Sequence, residues 1–388
     1  MIDFFLSKEQ RMIREMVRDF TANEIAPIAA ELDEKGEFPA EIIAKMGELG
    51  LMGVPFPEEY GGAGMDYVSY TTAVYEIARV CASTAITMAA HTSLGMTPIY
   101  LVGSEKQKRK YIPPLASGKM IGAFGLTEAS AGSDAAATKT TAVKEGDEWI
   151  INGGKVFTTN AGVAGVISIT ARVIEDDEKQ GIGAFIIETD NPGLRIGPKE
   201  KKMGWNASDT RQIFFEDLRL PDEQRLGEPV DGFRTFLKTL VGGRISVGAL
   251  ACGTAEGAYT AALNYSHERE AFGKPIHRFQ SVGFKLADMA TEIEASKLLV
   301  YQAAKKYDEG HNVVKEAAMA KLFASETAMK TTTEAIQVFG GYGYIKEYPA
   351  ERFFRDAKVL TIGEGTSEIQ KIVILREILK SLDTTISV

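Results

Sequence analysis

Apolar residues at Ile13, Met16, Val17 and Phe20 recur every three and four positions, the period of a helix with one face turned inward. The stretch "YVSYTTAVYEIARVCASTAITMAAHTSL" continues this helical, Ala-rich character after a Pro- and Gly-punctuated loop, "PFPEEYGGAGMD". From residue 121 the period changes. Short apolar or alternating runs ("IGAFGL", "EWIINGGKVFTT", "GVISITARV", "GAFIIE", "RQIFFEDLRLP") are separated by Gly, Asn, Asp and Pro, which predicts roughly six to eight strands. Asn152-Gly153 is a good hairpin signal. After "PVDGF" the helical period returns: Val282, Leu286, Met289 and Ile293 share one stripe, and "VVKEAAMAKLFASETAMKTTTEAIQVFG" predicts another long helix. "GGYGY" at 340–344 then predicts a turn. The fold class expected is α+β multidomain. It comprises an N-terminal helical domain (1–120), a middle antiparallel β-barrel domain (121–230) and a C-terminal four-helix bundle (231–388), with no internal repeat.

A chain of 388 residues exceeds one small core, which agrees with several domains. The net charge of −9 argues against nucleic acid as a partner, because neutralising phosphates needs a positive surface. The one basic run, "KQKRK", reads as a solvated helix face. Cys81 and Cys252 lie far apart in Ala-rich surroundings, so they read as core residues in a reducing compartment. The N-terminal "MIDFFLSKEQRMIREM" is charged and amphipathic without an apolar signal core, and no run approaches a membrane span of about eighteen apolar residues. A cytoplasmic location with no membrane span is expected.

Several mechanisms lack their residues. There is no G-x-x-x-x-G-K-[ST] loop, no G-x-G-x-x-G between strand and helix, and no G-x-S-x-G elbow. His91, His267, His277 and His311 lack metal-ligand spacing, and in "HEREA" Ala271 stands where a zinc motif needs its second His, so no metal is expected. A catalyst here needs another source of reactivity, such as an organic cofactor.

Four stretches offer chemistry. "FGLTEASAGSDAAAT" (124–138) is small, polar and Gly-rich, so its amides can approach a planar or phosphate-bearing ligand. "VFTTNAG" sets the Phe157 ring beside the hydroxyls of Thr158 and Thr159. "HEREAFGKPIHRFQ" ends a helix with Arg269, followed by Phe272, Gly273 and Gln280. "TIGEGTSEIQ" sets Glu364 between two glycines just before a helix start, where Ser367 and Gln370 have capping spacing. Taken singly, each also fits a bland reading: a flexible loop, a strand edge, a solvated helix end, and an acid at a helix N-terminus.

Together and in this order they resemble the acyl-CoA dehydrogenase family over essentially the whole chain. "LTEASAGSDAAA" looks like one family signature and "QVFGGYGY…RFFRDAKVLTIGEGTSEIQ" like the other. The resemblance implies FAD held between the β domain and the C-terminal bundle. Phe124, Leu126, Thr127, Gly132 and Ser133 would hold the flavin, with Thr127 at its pyrimidine edge. Phe157, where relatives commonly carry Trp, would lie against the isoalloxazine ring. Thr158 would lie beside it, and Thr159 would bond N5. Arg269 and Gln280 match contacts to the diphosphate, and Phe272 lies near the adenosine. Gln337, Gly340 and Gly341 belong to a segment that reaches FAD in a neighbouring subunit, which implies a homotetramer, a dimer of dimers. Thr366, Ser367 and Glu368 match further FAD contacts. On the substrate side stand Ser133, Val241, Arg244 and Gly365.

By the same resemblance Glu364 is the base that takes the α-proton of an acyl-CoA thioester, while the β-hydrogen leaves as hydride. Burial beside an acyl chain should raise its pKa and strengthen it as a base. A branch of the family that handles isovaleryl-type chains carries its glutamate at the position of Gly243, so that alternative base is absent. Many short- and medium-chain relatives have Tyr where this chain has Gly363, which leaves room for a longer, branched or cyclic acyl group. "AITMAAHTSLG", with Ile86 and Ala90, offers no arginine for a dicarboxylate such as glutaryl. The implied activity is FAD-dependent formation of trans-2-enoyl-CoA, with electrons passed to electron-transferring flavoprotein. A specialised cyclic- or branched-acyl dehydrogenase and an acyl-CoA oxidase on the same scaffold are the alternatives.

Overall fold

The computed structural model describes residues 6–176 and 178–386. The first five residues of the amphipathic N-terminal stretch lie outside the described residues. Seven helices come first: α1 (Lys8–Phe20), α2 (Ala29–Lys35), α3 (Ala40–Glu48), α4 (Tyr67–Ala78), α5 (Ala82–Ala89), α6 (Thr97–Val102) and α7 (Glu105–Ala116). Ser7 caps α1 by accepting the Gln10 N–H, and Ser104 caps α7 in the same way. The stripe read on α1 is real: Val17 is buried, and Ile13, Met16 and Phe20 pack against the same core.

The strands are β1 (Gly122–Gly125), β2 (Thr141–Glu145), β3 (Glu148–Thr159), β4 (Val166–Glu175), β5 (Glu178–Glu188), β6 (Leu194–Lys199), β7 (Thr210–Pro221) and β8 (Arg225–Leu226). They pair in the order β6-β7-β3-β2-β4-β5-β8, with β1 also on β4. This path runs open from β6 to β8 rather than closing as the expected barrel. Most pairs are antiparallel, but β1 and β2 both run parallel to β4. They pair with successive stretches of β4, at Val166 to Ile169 and then Arg172 to Ile174, while β5 pairs along the same length. Residues 126–140 must therefore leave the sheet and return to it, which pushes the Gly-rich segment out as a surface loop.

Asn152-Gly153 is not a hairpin. Both residues lie inside β3, at a register shift where the φ of Gly153 is 134° and a Cβ would sit 2.8 Å from Thr140. The hairpin is six residues earlier, at Gly146-Asp147 between β2 and β3.

The C-terminal helices are α8 (Gly232–Glu268), α9 (Gln280–Asp308), α10 (Val314–Phe339), α11 (Ala350–Lys358) and α12 (Ser367–Ile386), with a short hairpin of β9 (Glu270–Ala271) and β10 (Lys274–Pro275) after α8. α10 packs on α8, α9 and α12, and α8 also packs on α4 and α5. One continuous core thus joins residues from Leu6 to Leu360, with Tyr70, Ile77, Leu250, Cys252, Ile293 and Val300 inside it. Both cysteines are buried and free. Among the described residues α8 alone is long and apolar enough to cross a membrane, and 78% of that apolar stretch is buried inside the protein. Its hydropathy is accounted for by the core.

A second core fills the sheet around Trp149, Ile167, Ile169, Phe185 and Leu218. Polar ties join sheet to helices. Asn160 donates to the Thr87 carbonyl on α5 at 3.1 Å, and the Trp205 N–H donates to Asp356 on α11 at 2.6 Å. His91 accepts from the Gly122 N–H at Nδ1 and donates from Nε2 to Leu115, and burial pushes its pKa down to about 4. It is a neutral structural link.

Candidate functional site

Between α11 and α12 the chain makes one helical turn and then an irregular loop that carries Glu364. Glu364 has φ 53° and Gly365 has φ 92°, both left-handed. Glycine suits 365 because φ 92° is a conformation that residues with a side chain rarely adopt. Three bonds hold this loop from beneath. Gln370 Nε2 donates to the carbonyls of Glu364 (3.0 Å) and Gly365 (2.8 Å), and Lys321 Nζ donates to Gly365 at 2.8 Å. The helix start differs by one residue from the sequence expectation. Thr366 Oγ1 accepts the Ile369 N–H, whereas the Ser367 hydroxyl is buried against Glu326 and Gln370 serves the loop carbonyls. Glu368 is exposed.

The Glu364 residue is half-buried, but its Oε2 is shut off from solvent and accepts no hydrogen bond. Burial pushes the carboxyl from 4.5 up to about 7, with Lys321 and then Arg244 pulling the other way. The carboxylate lies over α8. A Cβ at Gly243 would collide with Oε2 and stand 3.0 Å from Leu94. Arg244 follows on α8, buried, with Nε unpartnered, and burial lowers its pKa. Tyr67 and Tyr70 of α4 close the other side, edge to face at 5.0 Å, and burial raises both phenols. The Tyr67 hydroxyl is also unpartnered. Val241 is half-buried against the first core, Ile86 lies inside it, and Ala90 is buried.

A second group gathers at the loop between β1 and β2. Glu128 accepts from Lys155 (2.7 Å), from the N–H groups of Lys139 (2.7 Å) and Thr140 (3.1 Å), and from the Thr138 hydroxyl. These bonds hold the Glu128 carboxyl at about 2 despite its burial. Burial of Lys155 pushes its ammonium the other way, downward, and the bonds to Glu128 hold the pair charged. The Thr127 carbonyl accepts the Val156 N–H at 2.8 Å, which sets Thr127 beside Phe157, Thr158 and Thr159. Phe157 is 68% exposed with φ 56°, and the Thr158 hydroxyl is buried without a partner. Gly132 and Ser133 are exposed above the loop, with open space where a Gly132 Cβ would stand. Phe124 faces elsewhere, stacked on Phe236 at 4.1 Å, and Leu126 is half-buried against that cluster.

A third group surrounds a cavity of about 480 Å³ lined by Tyr265, Arg269, Gly340, Gly341, Tyr342 and neighbours. Arg269 ends α8, its guanidinium 5.8 Å from the centre of the Tyr342 ring. "GGYGY" is a single helical turn, and both Gly340 and Gly341 face open space. Gln337 is exposed on the last turn of α10. Phe272 is 95% exposed with φ 50°, and Gln280 is the exposed first residue of α9.

Family models cover almost the whole chain: acyl-CoA dehydrogenase N-terminal domain at residues 7–119, middle domain at 123–218 and C-terminal domain at 230–379. The chain belongs to the acyl-CoA dehydrogenase family. It is 49% identical over 379 residues to the short-chain specific acyl-CoA dehydrogenase of Clostridium acetobutylicum, covering 98% of this chain and 100% of that one. The butyryl-CoA dehydrogenase structure from Megasphaera elsdenii superposes with a TM-score of 0.94 at 45% identity, covering 96% of this chain and 99% of that one. A chain from the structural study of the electron-transferring flavoprotein of Acidaminococcus fermentans also reaches 0.94, at 48% identity, covering 96% and 98%. As an acyl-CoA dehydrogenase this protein is an oxidoreductase.

Acyl-CoA dehydrogenases depend on FAD, and the residues present fit that group. An exposed aromatic ring in a strained backbone, a buried orphan hydroxyl beside it, and glycines opening on empty space match a planar ligand with an anionic arm. Two members of the Glu364 site escaped sequence reading. Lys321 lies in "AMAKLFAS", where a lysine on an Ala-rich helix reads as solvated, and no local signal marks it as buried. Gly243 was legible only as an absent glutamate; its role as the floor beneath Oε2 needed the crossing of α8 and the loop.

Proposed function

We propose that this chain oxidises a short acyl-CoA thioester to the trans-2-enoyl-CoA, with Glu364 as the base and electrons passing on to an electron-transferring flavoprotein. The observation that carries this reading is the Glu364 Oε2, buried without a hydrogen bond; that burial pushes the carboxyl up to about 7. A structural carboxylate at that depth is paired; an unpaired one is free to meet a C–H bond of something bound. FAD, when bound, accepts the β-hydrogen as hydride. Glu364 holds the α-proton at its carboxyl oxygen, its own N–H donates to the thioester carbonyl, and Gly365 lets the substrate approach. Thr127, Phe157 and Thr159 face the flavin ring, Arg269 and Gln280 the diphosphate, and Phe272 the adenosine.

The short acyl class follows from the Clostridium and Megasphaera relatives, whose descriptions are short-chain specific and butyryl-CoA. A homotetramer is supported by α12, which leaves Ile372 (60%), Leu375 (57%), Leu379 (50%) and Leu382 (52%) exposed on one face. In that assembly Gln337 to Gly341 reach the FAD of a neighbouring subunit. The cytoplasm suits two free, buried cysteines.

The test is anaerobic mixing of the purified yellow protein with butyryl-, isovaleryl-, octanoyl- and glutaryl-CoA. Loss of the flavin's visible absorbance, fastest with butyryl-CoA, is expected, and turnover should require electron-transferring flavoprotein. Turnover driven by oxygen alone would make the protein an acyl-CoA oxidase. No bleaching by any thioester would overturn the reading.

A further inference from the structure

Lys321 has no part in the reaction as described so far, yet it is fully buried on α10. Its ammonium has three N–H groups and makes one hydrogen bond, to the Gly365 carbonyl at 2.8 Å. Among the described residues no carboxylate lies within ion-pair distance of it; the Glu364 Oε2 accepts no bond from it or from anything else. An isolated buried cation is costly, and an apolar side chain of the same length would ordinarily pack better. The charge has a function if something nearby needs it.

We propose that Lys321 is the positioning residue of the Glu364 base: its ammonium fixes the Gly365 carbonyl and supplies the positive charge against which the buried carboxylate is held. This rests on Glu364 being the base. The electrostatics agree. Of the groups that pull the Glu364 carboxyl back toward ionisation, Lys321 acts more strongly than Arg244. Of the groups that keep Lys321 charged against burial, which lowers it to about 8, Glu364 acts most strongly. The remaining groups are accounted for. Tyr67 and Tyr70 on α4 stay neutral, Glu326 and Glu368 act on Lys321, and Arg376 acts on Arg244. Two cations thus face one carboxylate, and removing the stronger leaves Glu364 harder to ionise.

The test is the pH dependence of kcat/KM for butyryl-CoA in Lys321→Met and Lys321→Arg, with flavin occupancy measured on each. For Lys321→Met the acidic limb should move up by about one to three pH units, the range for losing a nearby opposite charge. A move of one or two units from a pKa near 7 lowers activity at neutral pH by roughly five- to fiftyfold, recovered in alkaline buffer. Lys321→Arg should keep the wild-type limb. A loss that is uniform across pH, with the limb unmoved, would reduce Lys321 to a loop support and overturn the proposal. If Lys321→Met does not hold FAD, Lys321→Gln carries the same expectation with a polar group in place. Glu364→Gln is run alongside. Near wild-type bleaching there would mean the base is misassigned, whereas a dead Glu364→Gln with an unmoved Lys321→Met limb would sink only the Lys321 role.

Discussion

Glu364→Gln should make the enzyme worse and the fold better, and the second effect carries a pH signature. Replacing the base costs about 10²–10⁴-fold or more in the rate of flavin bleaching. The stability effect follows from the carboxyl's rise from 4.5 to about 7 on folding. Between those values the folded protein holds a proton that the unfolded chain releases. Wild-type stability therefore falls as pH rises through that window and stays reduced above it. At 1.36 kcal/mol per pH unit the full cost of the buried charge is roughly 3 kcal/mol. Glutamine carries no charge and escapes it. Its NH2 would sit where Oε2 now finds no partner, an offset of about 1–3 kcal/mol, but that offset does not vary with pH. The prediction is thus a slope: the variant's advantage in thermal unfolding, measured at saturating FAD, grows from acid to neutral pH and then levels off. A difference in Tm that is flat across the window would refute the buried-charge account. Near wild-type bleaching would refute the base.

Three further outcomes are expected. Arg269→Ala should purify largely without flavin, because the cavity shared with Gly340 and Gly341 loses its cation for an anionic diphosphate; full yellow occupancy without added FAD would count against that cavity as the cofactor site. Gly363→Tyr should be tolerated by the backbone, since a Cβ there meets only the Val359 carbonyl at 3.5 Å, and should penalise branched and long thioesters more than butyryl-CoA; an unchanged preference places residue 363 outside the acyl pocket. Moving the base calls for Glu364→Gly together with Gly243→Glu. The collision of a 243 Cβ with Oε2 means that a side chain kept at 364, even glutamine, would obstruct the new one. The pair should regain part of the bleaching rate that Glu364→Gly loses, and no recovery would show that the α-proton is out of reach from α8.

Helices were legible where burial follows a simple period. Leu286, Met289 and Ile293 are buried on α9 as their spacing says, and Val17 on α1 likewise. The misreadings share one cause, a local signal overruled by a distant contact. Asn152-Gly153 has hairpin chemistry, but the close pass of Thr140 needs that glycine in mid-strand. Ser367 and Gln370 have cap spacing, but Glu326 of α10 takes the serine and the loop carbonyls take the glutamine. Strand order was not legible: two strands parallel to β4 follow from the excursion of residues 126–140, which no turn motif announces. For the site, Glu364 was visible because its flanking glycines are unusual, whereas Lys321 was invisible because buried charge leaves no mark in a one-dimensional pattern.

Backbone strain singles out much of the same set of residues by an independent route. Among the described residues seven that are not glycine adopt left-handed φ: Phe157, Asn160, Asp176, Trp205, Asp217, Phe272 and Glu364. Asn and Asp tolerate that region, so Asn160, Asp176 and Asp217 call for little explanation. The other four each cost about 1–2 kcal/mol or more, and such outliers persist only where the surroundings over-determine them. Trp205 has a structural reason in its N–H bond to the buried Asp356. Phe157 takes the left-handed φ at the register shift in β3 and Phe272 in the two-residue turn between β9 and β10, where the backbone calls for it; what neither feature calls for is an exposed aromatic ring. Glu364 adds an unpartnered buried oxygen to its strain. The three residues whose side chains the local backbone does not call for are the proposed flavin platform, the adenosine contact and the base. Glycine or asparagine would serve the turn and the bulge at lower cost, so the aromatic rings are best understood as held for what binds there.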